Sequence, residues 1–274
     1  MFITEKEIEE FELGLREKSA ATAEKYLRDA KAFAKFCGGE ITPESVSEFK
    51  RQLCEKYKPR SVNSFIAAVN CFLEFCGLLN LKMKSVKVQR EVFCSEKKEL
   101  SRPEYERLCK AARKKNNERL ELVLQTVCAT GIRVSELKFI TVEAVKSGDI
   151  TVSLKGKTRT VFIVDDLKKK LLLYCKKHGI ESGQVFVTKT GKPLNRTNIW
   201  REMKNLCRMA RVNPDKVFPH NLRHLFARIF YEIDKDLAKL ADVLGHSNIE
   251  TTRIYIISTG TEHRRRMEKM KLII

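Results

Sequence analysis

Apolar residues recur with helical spacing over most of the chain. Between Ala20 and Phe36, the residues Ala23, Tyr26, Leu27, Ala30, Phe33 and Ala34 fall on one stripe, and Cys37-Gly38-Gly39 ends it. Thr42 as cap and Pro43 in the first turn predict a second helix to about Tyr57. A third follows Pro59, with Val62, Ile66, Val69, Phe72 and Leu73 apolar before Gly77. The stripe then fades between Lys82 and Lys98, which reads as a linker.

Beyond the linker, Ser101 caps a helix to Ala112, and a second runs from Glu118 to Ala129, broken at Thr130-Gly131. Alternation in DITVSL (149–154), the turn KGKT and the β-rich RTVFIV (159–164) predict a hairpin. Helical spacing resumes over Asp166–His178, Arg196–Arg211, Leu222–Tyr231 and Asp236–Leu244, and Ser247 with Glu250 has the spacing of a capping box for a last short helix. The expected fold class is therefore mainly α with a small antiparallel sheet. Its expected division is a helical domain over 1–84, a linker over 85–98 and a larger domain over 99–274.

Charge adds a partner to this picture. The 54 Lys+Arg against 35 Asp+Glu leave +19 in 274 residues. Residues 1–95 hold 16 basic and 14 acidic side chains, so the remaining 38 and 21 put most of the excess in the C-terminal two-thirds. Such a surplus calls for a polyanion. No apolar run is long enough for a membrane helix and the acidic start lacks a secretory n-region, which points to a cytoplasmic protein. Nine cysteines without a CxxC pair read as reduced core residues.

Four segments carry candidate chemistry. ATGIRVSEL (129–137) exposes Arg133 after a helix break, where a guanidinium can grip two phosphate oxygens. The hairpin tip carries Lys155, Lys157 and Arg159. In FPHNLRHLFA (218–227), His220, Arg223 and His224 align near one face at a helix start. LGHSNIETTRIY (244–255) places His246 after a helix stop and ends in Tyr255. Taken singly, each has a plain structural reading. A zinc site at His220 and His224 is disfavoured because no Glu follows His220 and no third ligand is evident.

In this order the four segments resemble the tyrosine recombinase (phage integrase) family, and specifically its compact, Xer-like members. The resemblance implies Arg133, His220, Arg223 and His246 as catalytic residues, Tyr255 as nucleophile, and Lys155 as the catalytic lysine, with Lys157 the alternative. It also implies that residues 1–84 are a helical core-binding domain, that the tail with Arg264, Arg265 and Arg266 docks on a neighbouring protomer, and that no cofactor or metal is needed. The implied partners are double-stranded DNA with a specific inverted-repeat site and a homo-tetramer or a related recombinase, with no membrane. Lys58, Arg60, Asn63, Lys157, Arg159, Arg196 and Arg201 are candidate DNA contacts from their positions at helix entries and the hairpin. Dimer resolution and integration or excision of a mobile element both fit. A type IB topoisomerase with similar chemistry, and a DNA-binding regulator without catalysis, are the rival readings.

Overall fold

A computed structural model describes residues 2–88, 98–154, 156–188, 190–255, 264 and 267–271, without the side chains of Leu154 and Lys157. Two compact units result, Met1–Arg90 and Glu91–Ile274.

The first unit is helical: α1 (Glu5–Gly14), α2 (Ala20–Phe36), α3 (Pro43–Lys56) and α4 (Pro59–Phe75). The stripes expected from the sequence supply its core, with Phe33 packed edge-on to Phe49 at 5.1 Å and Phe11 to Phe72 at 5.1 Å. Helix α1 was not expected. Its acidic residues conceal a sparse apolar face that contributes only Phe11 to the fully buried set. Asp29 is 1% exposed and is paired with Lys25 at 2.5 Å and Arg28 at 3.1 Å.

Two asparagines seven positions apart on α4 hold the chain that leaves this unit. Asn70 donates from Nδ2 to the Met83 carbonyl and accepts the Met83 N–H, at 2.9 and 2.8 Å. Asn63 makes the same reciprocal pair with Val86, at 2.9 and 2.8 Å. Each side-chain amide thus stands in for a strand partner, and Lys50 adds a bond to the Lys84 carbonyl.

The second unit contains α5 (Arg102–Lys114), α6 (Glu118–Thr130), a 3-10 turn at Val134–Phe139, α7 (Val142–Ser147), β1 (Asp149–Leu154), β2 (Lys157–Phe162), α8 (Asp165–Lys177), α9 (Arg196–Lys204), α10 (Cys207–Ala210), α11 (Pro219–Asp234), α12 (Leu237–Leu244) and α13 (Ile249–Arg253). Helix α6 packs against α5, α8 and α11, burying Leu120, Val123, Leu124 and Val127. The two strands pair antiparallel with Leu154 opposite Lys157 across a turn containing Gly156, at φ +74. That tight turn starts β2 two residues before the expected 159–164.

Other boundaries also differ. The single helix expected over Arg196–Arg211 breaks after Lys204, and its second piece ends on Arg211 in the left-handed region at φ +51. Pro219 opens α11, earlier than Leu222, because a proline fits the first turn where no N–H partner is needed. The cap of α13 is Asn248, whose Oδ1 accepts the Glu250 N–H at 2.8 Å, so the Ser247–Glu250 box does not form. No helix among the described residues is long and apolar enough to cross a membrane.

Replacing Asn63 and Asn70 together by alanine removes four bonds that hold residues 83–86. Local opening should then make tryptic cleavage at Lys82 and Lys84 up to about a thousandfold faster, as four bonds at about 1 kcal/mol each imply, with global melting little changed. Gly131 ends α6 at φ +66, where an added Cβ would meet the Phe226 ring at 2.4 Å. Gly131→Ala should therefore cost about 2–4 kcal/mol, read as a lower thermal midpoint.

Candidate active site

The second unit converges its candidate residues by stopping helices abruptly. The left-handed Gly131 turns the chain out of α6, so Arg133 caps the following 3-10 turn. Arg133 remains 41% exposed, with its backbone N–H and its Nη1 bound to Glu136 at 2.7 and 2.9 Å. The left-handed Gly245 likewise ends α12 and delivers His246.

Arg223 lies one turn into α11 and is 1% exposed. Its Nη1 donates to the Gly131 carbonyl at 2.6 Å and its Nη2 to the Leu244 carbonyl at 2.7 Å. The same Nη2 lies 2.9 Å from His246 Nε2. Among the described residues its Nε has no hydrogen-bond partner. A buried donor without an acceptor is costly. Burial, and secondarily Arg133, pull the Arg223 pKa down to about 10.

Because Arg223 donates, His246 Nε2 must accept, which leaves the ring proton on Nδ1, 2.8 Å from Thr252 Oγ1. Burial first, then Arg223 and Arg133, hold the His246 pKa down at about 4. His224 is also lowered to about 4, by burial and then by His220 and Arg223. His220 keeps an exposed edge and is lowered for the same reasons, burial leading. All three imidazoles are therefore neutral near pH 7.

Tyr255 sits among them. Its ring is 3% exposed, 4.3 Å from His224, 5.6 Å from His220 and stacked 5.5 Å from His246. The phenol lies close enough to Arg223 to act on its pKa. On its apolar side the tyrosine joins Ala227, Leu240 and Leu244. A cleft of about 870 Å³ opens beside Arg133, Arg159 and His246.

The candidate lysines are less fully placed. Lys155 and the Lys157 side chain lie outside the described residues, although the Lys157 backbone begins β2. Arg159, expected as a DNA contact, is instead turned inward on Glu136. Asn63, expected likewise, spends its amide on Val86. Lys58, Arg60, Arg196 and Arg201 are exposed, and Arg196 stands close enough to His220 to lower its pKa. Arg264 is exposed, whereas Arg265 and Arg266 lie outside the described residues.

Sequence reasoning passed over Glu136 and Thr252, and named His224 without giving it a catalytic role. Glu136 is 1% exposed and binds both Arg133 and Arg159, and the three-residue spacing from Arg133 at a helix start was its only local signal. His224 was legible from its four-residue spacing to His220, and Thr252 carried no signal. Among the described residues, no three His, Cys, Asp or Glu side chains group as metal ligands.

Residues 98–262 match the phage integrase family. The chain is 31% identical to tyrosine recombinase XerA of Thermococcus kodakarensis, across 97% of this chain and 95% of that protein. It is 28% identical to tyrosine recombinase XerD of Halalkalibacterium halodurans, across 89% of each. Its fold is similar to that of a lambda integrase fragment crystallised as a dimer on a COC′ core site, with a TM-score of 0.74 and 17% identity over 93% of this chain and 95% of that one. The architecture expected from the four motifs is thereby established, and the chain belongs to the phage integrase family as a tyrosine recombinase, an enzyme that cleaves and rejoins DNA at specific sites through a covalent tyrosine intermediate.

Proposed function

We propose that Tyr255 is the nucleophile and that Arg133, Arg223, His246 and His220 form the phosphate site around it. The observation that carries this reading is the convergence of one phenol, a buried guanidinium with a free Nε–H and three neutral imidazoles. The Tyr255 oxygen attacks phosphorus while the bond to the 5′ oxygen breaks, leaving a 3′-phosphotyrosine and a 5′-hydroxyl. The phenol proton passes to His220, whose lowered pKa keeps it neutral and able to accept. Arg133 and Arg223 hold the non-bridging oxygens as charge grows there, an effect commonly worth several kcal/mol per donor. The phosphate offsets the two guanidiniums that depress His246, which then gains a proton and donates to it. Lys155 or Lys157 protonates the leaving oxygen.

The substrate is double-stranded DNA with a specific inverted-repeat site, bound by a tetramer of this chain or by pairs with a related recombinase, in the cytoplasm. The first unit, with exposed Lys58 and Arg60, serves as the core-binding domain. Two biological outcomes fit the chemistry, dimer resolution of chromosomes or plasmids and integration or excision of a mobile element. The near end-to-end match to the XerA relative supports the first.

The direct test uses a nicked suicide duplex carrying the site that this protein selects from a random-sequence duplex library. Wild type should give a band shifted by covalent DNA after boiling in detergent. Tyr255→Phe should lose that band entirely and keep its DNA affinity within about twofold, since a phenol-to-phenyl change leaves the buried ring in place. A wild-type protein that forms no adduct ends this reading.

The neutral histidines also set an acid limit. His224 and His246 bind a proton near pH 4 in the folded chain and near 6.5 when unfolded, so the unfolded state takes up more protons between these values. The stability of the DNA-free protein should be complete above pH 6.5 and fall steadily towards pH 4, as followed by calorimetric melting. His224→Asn should flatten part of that slope.

A further inference from the structure

We propose that Arg159 is a positioning residue for strand cleavage, which holds Arg133 and His246 in register and makes no contact with DNA. The inference rests on the roles assigned to Arg133 and His246 above.

Arg159 belongs to β2, opposite Val152, and its side chain is only 13% exposed. Nη1 and Nη2 donate to the two oxygens of Glu136 at 3.1 and 2.9 Å, the two-pronged arrangement that fixes orientation as well as distance. Nε donates to the Val243 carbonyl at 3.4 Å, a long bond. The stem covers Gly245 so closely that a Cβ added there would lie 2.4 Å from Arg159 Cδ. His246 is the next residue. On its other side, Glu136 accepts from the Arg133 backbone and Nη1 with the same two oxygens. One guanidinium and one carboxylate therefore join the hairpin, the Arg133 turn and the end of α12.

The charge balance gives the arrangement its purpose. Glu136 is 1% exposed, and a carboxylate buried that deeply must be neutralised. Were Arg133 its sole cation, the carboxylate would compete directly with DNA phosphate for that guanidinium. Arg159 supplies the second cation from the buried side, which leaves the exposed edge of Arg133 available. Each of the three nitrogens of Arg159 already meets a protein acceptor and the side chain is only 13% exposed, so most of its donors are spent inside the protein.

Arg159→Lys keeps the charge and loses the fork. On the suicide duplex used above, adduct formation by saturating enzyme should slow about 100-fold, the loss typical of a displacement near 1 Å. The dissociation constant and its dependence on salt should stay as in wild type. Arg159→Met, which removes the charge, tests the contact itself: a fall of about 0.9 in the slope of log K against log salt, with the saturated rate unchanged, would reveal a phosphate contact and overturn the proposal. A duplex with a 5′-bridging phosphorothiolate separates the phosphate-holding groups from the leaving group, because a departing thiolate needs no proton. Arg159→Lys should remain slow on it. Recovery of the wild-type rate would trace the defect to proton delivery and overturn the assignment to Arg133 and His246. If Arg159→Lys does not fold, Glu136→Gln breaks the same pair and should give the same slow, tightly bound behaviour. Where both fold, the double variant should be no slower than the worse single one, and multiplied losses would show that the two residues act independently. Wild-type adduct formed in parallel, and lost in Tyr255→Phe, keeps a failure here distinct from a failure of the assigned chemistry.

Discussion

A guanidinium that is 1% exposed persists only where its donors meet acceptors, and the second unit is arranged around meeting those of Arg223. The acceptors are the Gly131 carbonyl at the end of α6, the Leu244 carbonyl at the end of α12 and the His246 ring. The ends of helices expose carbonyls that lack intrahelical partners, so two abrupt helix stops supply what a buried arginine requires. Both stops are left-handed glycines, and the same turns that free those carbonyls also aim Arg133 and His246 at the site. Helix termination and the burial of Arg223 are one structural device here.

The DNA-free site stores donors. Among the described residues the Arg223 Nε has no hydrogen-bond partner, the imidazoles are neutral because burial and cations drive their protons off, and Tyr255 is packed among them rather than extended into solvent. A phosphate entering that cage supplies the negative charge the guanidiniums lack, and it raises the proton affinity of the histidines they had depressed. The large positive surplus of residues 96–274 attracts the polyanion at long range, whereas the buried groups act only on contact. Two electrostatic scales thus divide recruitment from chemistry.

Carbonyl and amide bonds also govern how each unit handles the segment that follows or precedes it. Asn63 and Asn70 pair with the backbone at Val86 and Met83, and Asn221 in the second unit donates to the Lys98 and Lys216 carbonyls. Asn221 stands between His220 and Leu222, and Arg228 on the same helix pairs with Glu99. The start of the second unit is therefore fastened to the helix that carries two of the proposed phosphate-binding residues.

Much of this was written locally in the chain. The stripe from Ala23 to Phe33, the glycine stop at 131, the alternation of 149–154 and the run from His246 to Tyr255 depend on near neighbours, and near neighbours are what spacing reports. Helix α1 escaped notice because its acidic residues mask a thin apolar face, and the long helix expected over 196–211 failed because spacing does not register the turn at Asn205-Leu206 that interrupts it. The pairing of Arg159 with Glu136 spans 23 residues, and that of Arg223 with Gly131 spans 92. Sequence by itself determined which side chains this protein has for cutting DNA and in what order they occur. Only the tertiary structure decided which arginine is buried against helix-end carbonyls and which are paired with a buried carboxylate, because charge burial depends on partners that the chain brings together by folding.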